Sequence, residues 1–259
     1  MGHIRLGALP QTRRWEQVVE LVAQDGTAAV VAAAALSAAE TGFAQAAEDE
    51  GLGRAVWLLT QLPLAARNED YLDRLRAVGV SVDAPPTVLD LVGAFTDAVD
   101  AHMRRTGGRT DLGEMAQMAA AEALTRMLGE RSRRLFASSG KDVRRDLGTF
   151  ATAKQFGVLA RDFFGSLTRR YLTFFLSREL PNHVGGARRF ASISEHADFD
   201  AALDLHCRQA SRIVEDFAGG WFSKTNWERG ITPETARGFA WVALKKLRAE
   251  LRRSGGSSH

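Results

Sequence analysis

The stretch TAKQFGVLARDFFGSLTRRYLTFFLSREL, residues 152–180, decides the class of fold. At about 100° per residue, Phe156, Leu159, Phe163, Leu167, Tyr171 and Phe174 fall on one stripe of a helix. Thr152 is placed to cap its first turn. Pro181 disfavours helix at the residue before it. A stripe this long and aromatic must be buried against other helices. Arg178 lies on the same stripe and Arg170 near its other edge, so each guanidinium needs a partner.

Outward from this helix, the punctuation is helical throughout. Thr12 opens a helix to about residue 24 with Trp15, Val18, Val19 and Val22 on one side, and Thr27 opens an alanine-rich one to about 49. A third covers 51–67, interrupted or ended near Pro63, and Asn68 caps a short one that stops at Gly79. Further helices are expected over 87–105, 111–136, 141–147, 195–218 and 233–253. Asp111 with Glu114 resembles a capping box, and Thr232-Pro233 is a cap followed by proline at the first helical position. Strand patterning is confined to residues 3–6 and 80–82. The expected fold is all-α, a multi-helix bundle of about nine to ten helices.

Residues 80–86, VSVDAPP, form the one clear linker, because two successive prolines cannot continue a helix. They divide the expected bundle into an acidic N-terminal subdomain, 1–83, and a basic C-terminal one, 84–253. Residues 254–259, SGGSSH, read as a linker and affinity-tag remnant. Residues 1–100 hold 7 basic and 14 acidic side chains, whereas 101–259 hold 27 and 17. That asymmetry suits either a basic face for an acidic partner or two halves that attract each other.

Composition narrows the class. A 45% apolar, 25% charged chain of 259 residues buries a sizeable core. Of the 34 basic residues 29 are Arg and five are Lys, the bias of a high-GC bacterium. Cys207 stands alone, so no internal disulfide or thiolate zinc site forms, which fits a reducing compartment. The opening residues lack a signal-peptide core, and the most apolar run, 28–39, is too short to span a bilayer. The expectation is a cytoplasmic protein without membrane contact, cofactor or metal.

Four constellations could carry function. In Arg178-Glu-Leu-Pro-Asn-His183 an Arg precedes a His by five residues, which resembles the catalytic signature of HEPN ribonucleases, themselves all-helical. The resemblance covers six residues. It implies a metal-independent endoribonuclease in which Arg178 stabilises charge on the phosphodiester and His183 moves a proton. Read structurally, Arg178 lies at a helix C-terminus and satisfies its last carbonyls.

In the following helix His196 and Asp200 are one turn apart and could share a metal ion. Phe199, Leu203, Cys207, Ala210, Val214 and Phe217 form its apolar stripe, with His206 at the margin. The segment 219–227, GGWFSKTNW, reads as a loop after a helix-ending glycine pair. Its Trp221, Lys224 and Trp227 would anchor a partner or stack on bases if exposed, and seal the core if buried. Trp15, preceded by an extended arm, docks either on another chain or on the C-terminal half.

The basic residues form the last constellation. Residues 126–145 hold seven basic and two acidic side chains, among them Arg131, Arg133, Arg134, Lys141, Arg144 and Arg145. In the last helix Ala240, Leu244, Leu247 and Leu251 align, with Lys245, Lys246, Arg248, Arg252 and Arg253 opposite. These two clusters are the candidate phosphate-contacting residues, or else a solvated basic surface. No nucleotide loop, catalytic triad or base-reading motif is legible.

The reading that emerges is a non-enzymatic helical subunit of a larger bacterial assembly, suited to anti-phage defence or nucleic-acid processing. It contacts nucleic acid or a partner protein through its basic part. The alternatives are the HEPN-like nuclease and a protein–protein adapter with no nucleic-acid role.

Overall fold

Eight of the described helices begin where a short oxygen-bearing side chain accepts a hydrogen bond from the first turn: Thr12, Thr27, Asp49, Thr87, Thr110, Thr152, Ser192 and Thr232. The computed structural model describes residues 10–39, 46, 48–83, 86–132, 140–186 and 188–256. Of these, 80% are helical and none is in a strand. The chain is an all-α multi-helix bundle.

Its order is α1 (Arg13–Ala23), α2 (Ala28–Ala38), α3 (Glu50–Ala66), α4 (Tyr71–Ala77), α5 (Val88–Thr106), α6 (Asp111–Ser132), α7 (Gly140–Thr149) and α8 (Ala153–Leu176). A 3-10 turn (Leu180–His183) leads to α9 (Ile193–Ala210), α10 (Arg212–Glu228) and α11 (Pro233–Gly256).

The centre is α8, which buries Phe156, Leu159, Phe163, Phe164, Leu167 and Tyr171. It packs against α6, α9 and, most extensively, α10. The α8–α10 approach is antiparallel and is set by missing side chains. A Cβ on Gly157 would lie 2.9 Å from the Glu215 carbonyl oxygen, one on Gly165 would lie 3.2 Å from Ser211 Oγ, and one on Gly219 would lie 2.3 Å from the Ala153 carbonyl oxygen. Likewise α3 and α6 meet where a Cβ on Gly51 would come within 2.6 Å of Gly113 Cα.

Several boundaries differ from the sequence expectation, and α2 ends at Ala38 rather than near residue 49. α3 runs through Pro63 to Ala66, because Leu59, Leu62, Ala65 and Ala66 around it are all buried. Packing there outweighs the loss of one backbone hydrogen bond. Residues 195–218 are two helices broken at Ser211, whose buried hydroxyl donates to the Cys207 carbonyl at 2.7 Å. The expected loop 219–227 lies inside α10. Its glycine pair does not end a helix, since Gly219 is the point at which α8 comes closest. Finally, residues 254–256 continue α11, and Gly255 packs on Ala33 of α2.

One apolar cluster extends from Trp15 to Leu251 and includes residues on both sides of 80–86, with Val80 and Val82 themselves buried. No helix among the described residues is long and apolar enough to cross a membrane.

Candidate functional site

At the end of α8 the chain turns sharply, and the aromatic stripe receives both of its unusual neighbours. The Arg178 guanidinium lies 4.4 Å from the centre of the Phe174 ring and 5.6 Å from that of Phe175. Its Nε is buried without a hydrogen-bond partner. Aromatic rings, not the last carbonyls of the helix, take up this cation. His183 Nε2 lies 2.8 Å from Glu179 Oε1, and both side chains are largely buried. Glu179 went unnoticed in the sequence as a partner, although its i,i+4 spacing to His183 was visible.

Arg170, the other cation flagged on α8, meets Glu122 at 2.7 Å. Glu122 also accepts from Ser166 at 2.6 Å and from Arg169 at 3.2 Å. Burial pushes the Glu122 carboxyl up, but the Ser166 and Arg170 hydrogen bonds and the nearby guanidiniums bring it net below its ordinary value. Arg126–Asp162, Arg161–Glu215 and Arg169–Asp204 complete a set of ion pairs tying α8 to α6, α9 and α10. An open cavity of about 670 Å³ between α6 and α8 is lined by Met118, Glu122, Arg126 and Arg170, their charges met by one another or by Asp162. This polar brace was not legible in the sequence, because its pairs are long-range.

Around α9, His196 Nε2 is 3.8 Å from Asp200, and the ring packs beside Phe190. Burial lowers the His206 pKa and pushes the Cys207 thiol up to about 12, so the thiolate that a metal would need is not formed near neutral pH. Among the described residues no group of three or more His, Cys, Asp or Glu could hold a metal ion. Trp15 is buried against Phe175, with ring centres 4.8 Å apart, and so docks on the chain's own C-terminal half.

The basic residues divide sharply by role. Arg144 donates to the carbonyls of Ala66 at 3.1 Å and Asn68 at 2.7 Å, clasping the end of α3. Arg145 is exposed and pairs with Asp142 at 2.9 Å, while Lys141 is exposed. Arg131 belongs to the last turn of α6, and Arg133 and Arg134 lie outside the described residues. On α11, Ala240, Leu244, Leu247 and Leu251 are buried as the pattern requires. Arg252 reaches Ser37 Oγ at 3.4 Å, Arg253 bonds Glu250 at 2.6 Å, and Arg248 is half-buried.

The remaining cations assemble with aromatics on α10 and α11. Lys245 Nζ lies 5.0 Å from the Trp241 ring and Lys246 Nζ 5.4 Å from Phe217. Trp221 stacks on Phe239 at 4.1 Å. Beside them runs a groove of about 600 Å³, lined by Phe217, Trp221, Trp241, Lys224, Glu228 and Arg229. Trp241 is 44% exposed and Trp227 is 88% exposed. Lys224 projects outward, 3.9 Å from Glu228. The intervening turn is pinned to α3, because Trp57 Nε1 and Gln61 Nε2 both donate to the Ile231 carbonyl, at 3.1 and 3.3 Å.

No protein-family model, curated protein or solved structure matches this chain.

The α10–α11 face joins residues that the sequence placed in two separate constellations. Trp221, Lys224 and Trp227 were assigned to a loop, and Lys245 and Lys246 to a helix. Because 219–227 continues the helix, Trp221 and Lys224 line one groove with Trp241, whereas Trp227, six residues beyond Trp221, lies about 120° away around α10. Trp241 was missed, since a lone Trp on an amphipathic helix carries no signal until its exposure is known.

Proposed function

We propose that this protein is a non-enzymatic helical subunit of a larger bacterial assembly and that it contacts nucleic acid through the outer face of α10 and α11. One observation carries the reading. In an Arg-dominated chain, three of the five lysines and three of the five tryptophans gather on these two helices. Exposed aromatics beside cations suit a phosphate polymer carrying flat bases. Surface lysines make point-charge contacts without fixing one geometry, as a backbone-tracking surface requires.

The test is binding of labelled DNA and RNA by fluorescence anisotropy at about 50 and about 200 mM salt, since phosphate contacts must weaken as salt rises. The Lys245→Glu/Lys246→Glu variant is expected to lose about tenfold or more in affinity at low salt with its helical circular dichroism intact. Absence of binding at low salt, or binding indifferent to both lysines, would overturn the reading. Capture of a stable protein partner without nucleic acid would favour an adapter instead.

A further inference from the structure

From this proposed nucleic-acid face we infer a narrower ligand class: unpaired nucleotides of single-stranded DNA or RNA, whose bases stack on Trp227 and Trp241 while Lys224, Arg229, Lys245 and Lys246 follow the phosphates. The inference rests on the reading above and deepens it.

The argument begins with exposure. A tryptophan that is 88% exposed gains almost nothing from the hydrophobic effect in the folded chain. Trp227 makes no ring contact among the described residues, at the end of a helix whose preceding Trp221 is stacked tightly on Phe239. A duplex keeps its base faces stacked inside and offers such a ring only phosphate and sugar. An unpaired strand offers π-faces, and stacking on an aromatic platform is favourable whatever the base.

Charge and shape agree. Beside Trp241 runs the groove of about 600 Å³, within the range of small-molecule sites and lined by the Phe217 and Trp221 rings. Lys246 stands over Phe217 and Lys245 over Trp241, so a cation lies beside an aromatic ring at two positions. Repeated pairing of ring and cation matches a strand, in which each base carries one phosphate. An acidic peptide would use the cations and leave the rings idle. Glu228, paired with Lys224, is the carboxylate lining the groove. Rigidity completes the case, because the grip of Trp57 and Gln61 on Ile231 fixes the turn between the helices.

The experiment compares the full chain's affinity for an oligothymidylate of about 20 nucleotides with that for a blunt DNA duplex of equal phosphate count. The single strand is expected to bind about tenfold or more tighter and to quench tryptophan emission. Trp227→Ala, at a position where no fold contact is lost, should remove much of that preference and leave duplex binding unchanged. Trp241→Ala should do the same, with its folding checked by circular dichroism. Equal or tighter duplex binding, a Trp227→Ala variant with undiminished single-strand affinity, or competition by polyglutamate as effective as by oligothymidylate would each overturn this inference. In the first two cases nucleic-acid binding itself survives, whereas failure to bind either polymer overturns both.

Discussion

Gly219 and Gly220 are neighbours in α10 with opposite expected responses to alanine. A Cβ on Gly219 would press on the Ala153 backbone, so Gly219→Ala must push α8 off α10 and should cost about 1–3 kcal/mol. Gly220 faces open space, and Gly220→Ala should gain up to about 1 kcal/mol from helix propensity alone. Thermal unfolding of the two variants checks both signs. The pair also shows why the 219–227 segment was misread as a loop. Poor local propensity was visible, but the backbone that takes up the vacant space belongs to another helix. A half-buried histidine yields a third expectation. Burial lowers the His206 pKa below its ordinary 6.5, so the folded chain binds fewer protons than the unfolded one. Stability should therefore be unaffected by this group above about pH 6.5 and fall as pH drops below it. Melting at about pH 7.5 and 5.5 tests this, with His206→Gln flattening part of the slope. At the end of α8, Arg178→Ala/His183→Ala should leave the proposed nucleic-acid binding by α10 and α11 intact. A ribonuclease activity abolished by that variant would instead restore the HEPN-like reading.

At the level of the element, α7 separates two adjacent arginines that look equivalent in the sequence. Arg144→Ala removes two charge-assisted bonds to the end of α3 and should cost about 2 kcal/mol. Arg145→Ala removes exposed ion pairs and should stay within about 0.5 kcal/mol. Chemical denaturation resolves a difference of that size. Counting charge along residues 126–145 located a basic segment but not the work of each residue, because the acceptors of Arg144 lie on a distant helix terminus. By contrast α8 was legible nearly in full: its stripe, its Thr152 cap and the need to match Arg170 and Arg178 all follow from periodicity and the cost of burying charge. What met those two cations, a carboxylate from α6 and two phenyl rings, required the packing.

Across the whole molecule, the helices before and after residues 80–86 contribute to one apolar cluster, and α3 touches α5, α6, α7 and α11. We expect tryptophan fluorescence and far-ultraviolet circular dichroism to report one coincident thermal transition. Two separated transitions would instead support the subdomain division at 83/84. The charge division of the sequence also takes physical form here: Glu50 of α3 bonds Arg237 of α11 at 3.0 Å, so the acidic third and the basic remainder are in direct contact. The scarcity of lysine has a practical corollary. Primary amines are concentrated on α10 and α11, so carbodiimide or succinimide coupling to a sensor surface would capture many molecules with that side facing the matrix. Cys207, fully buried, offers thiol chemistry no alternative handle. Immobilised protein would thus look inert to a ligand that the free protein holds, and affinities should be measured in solution.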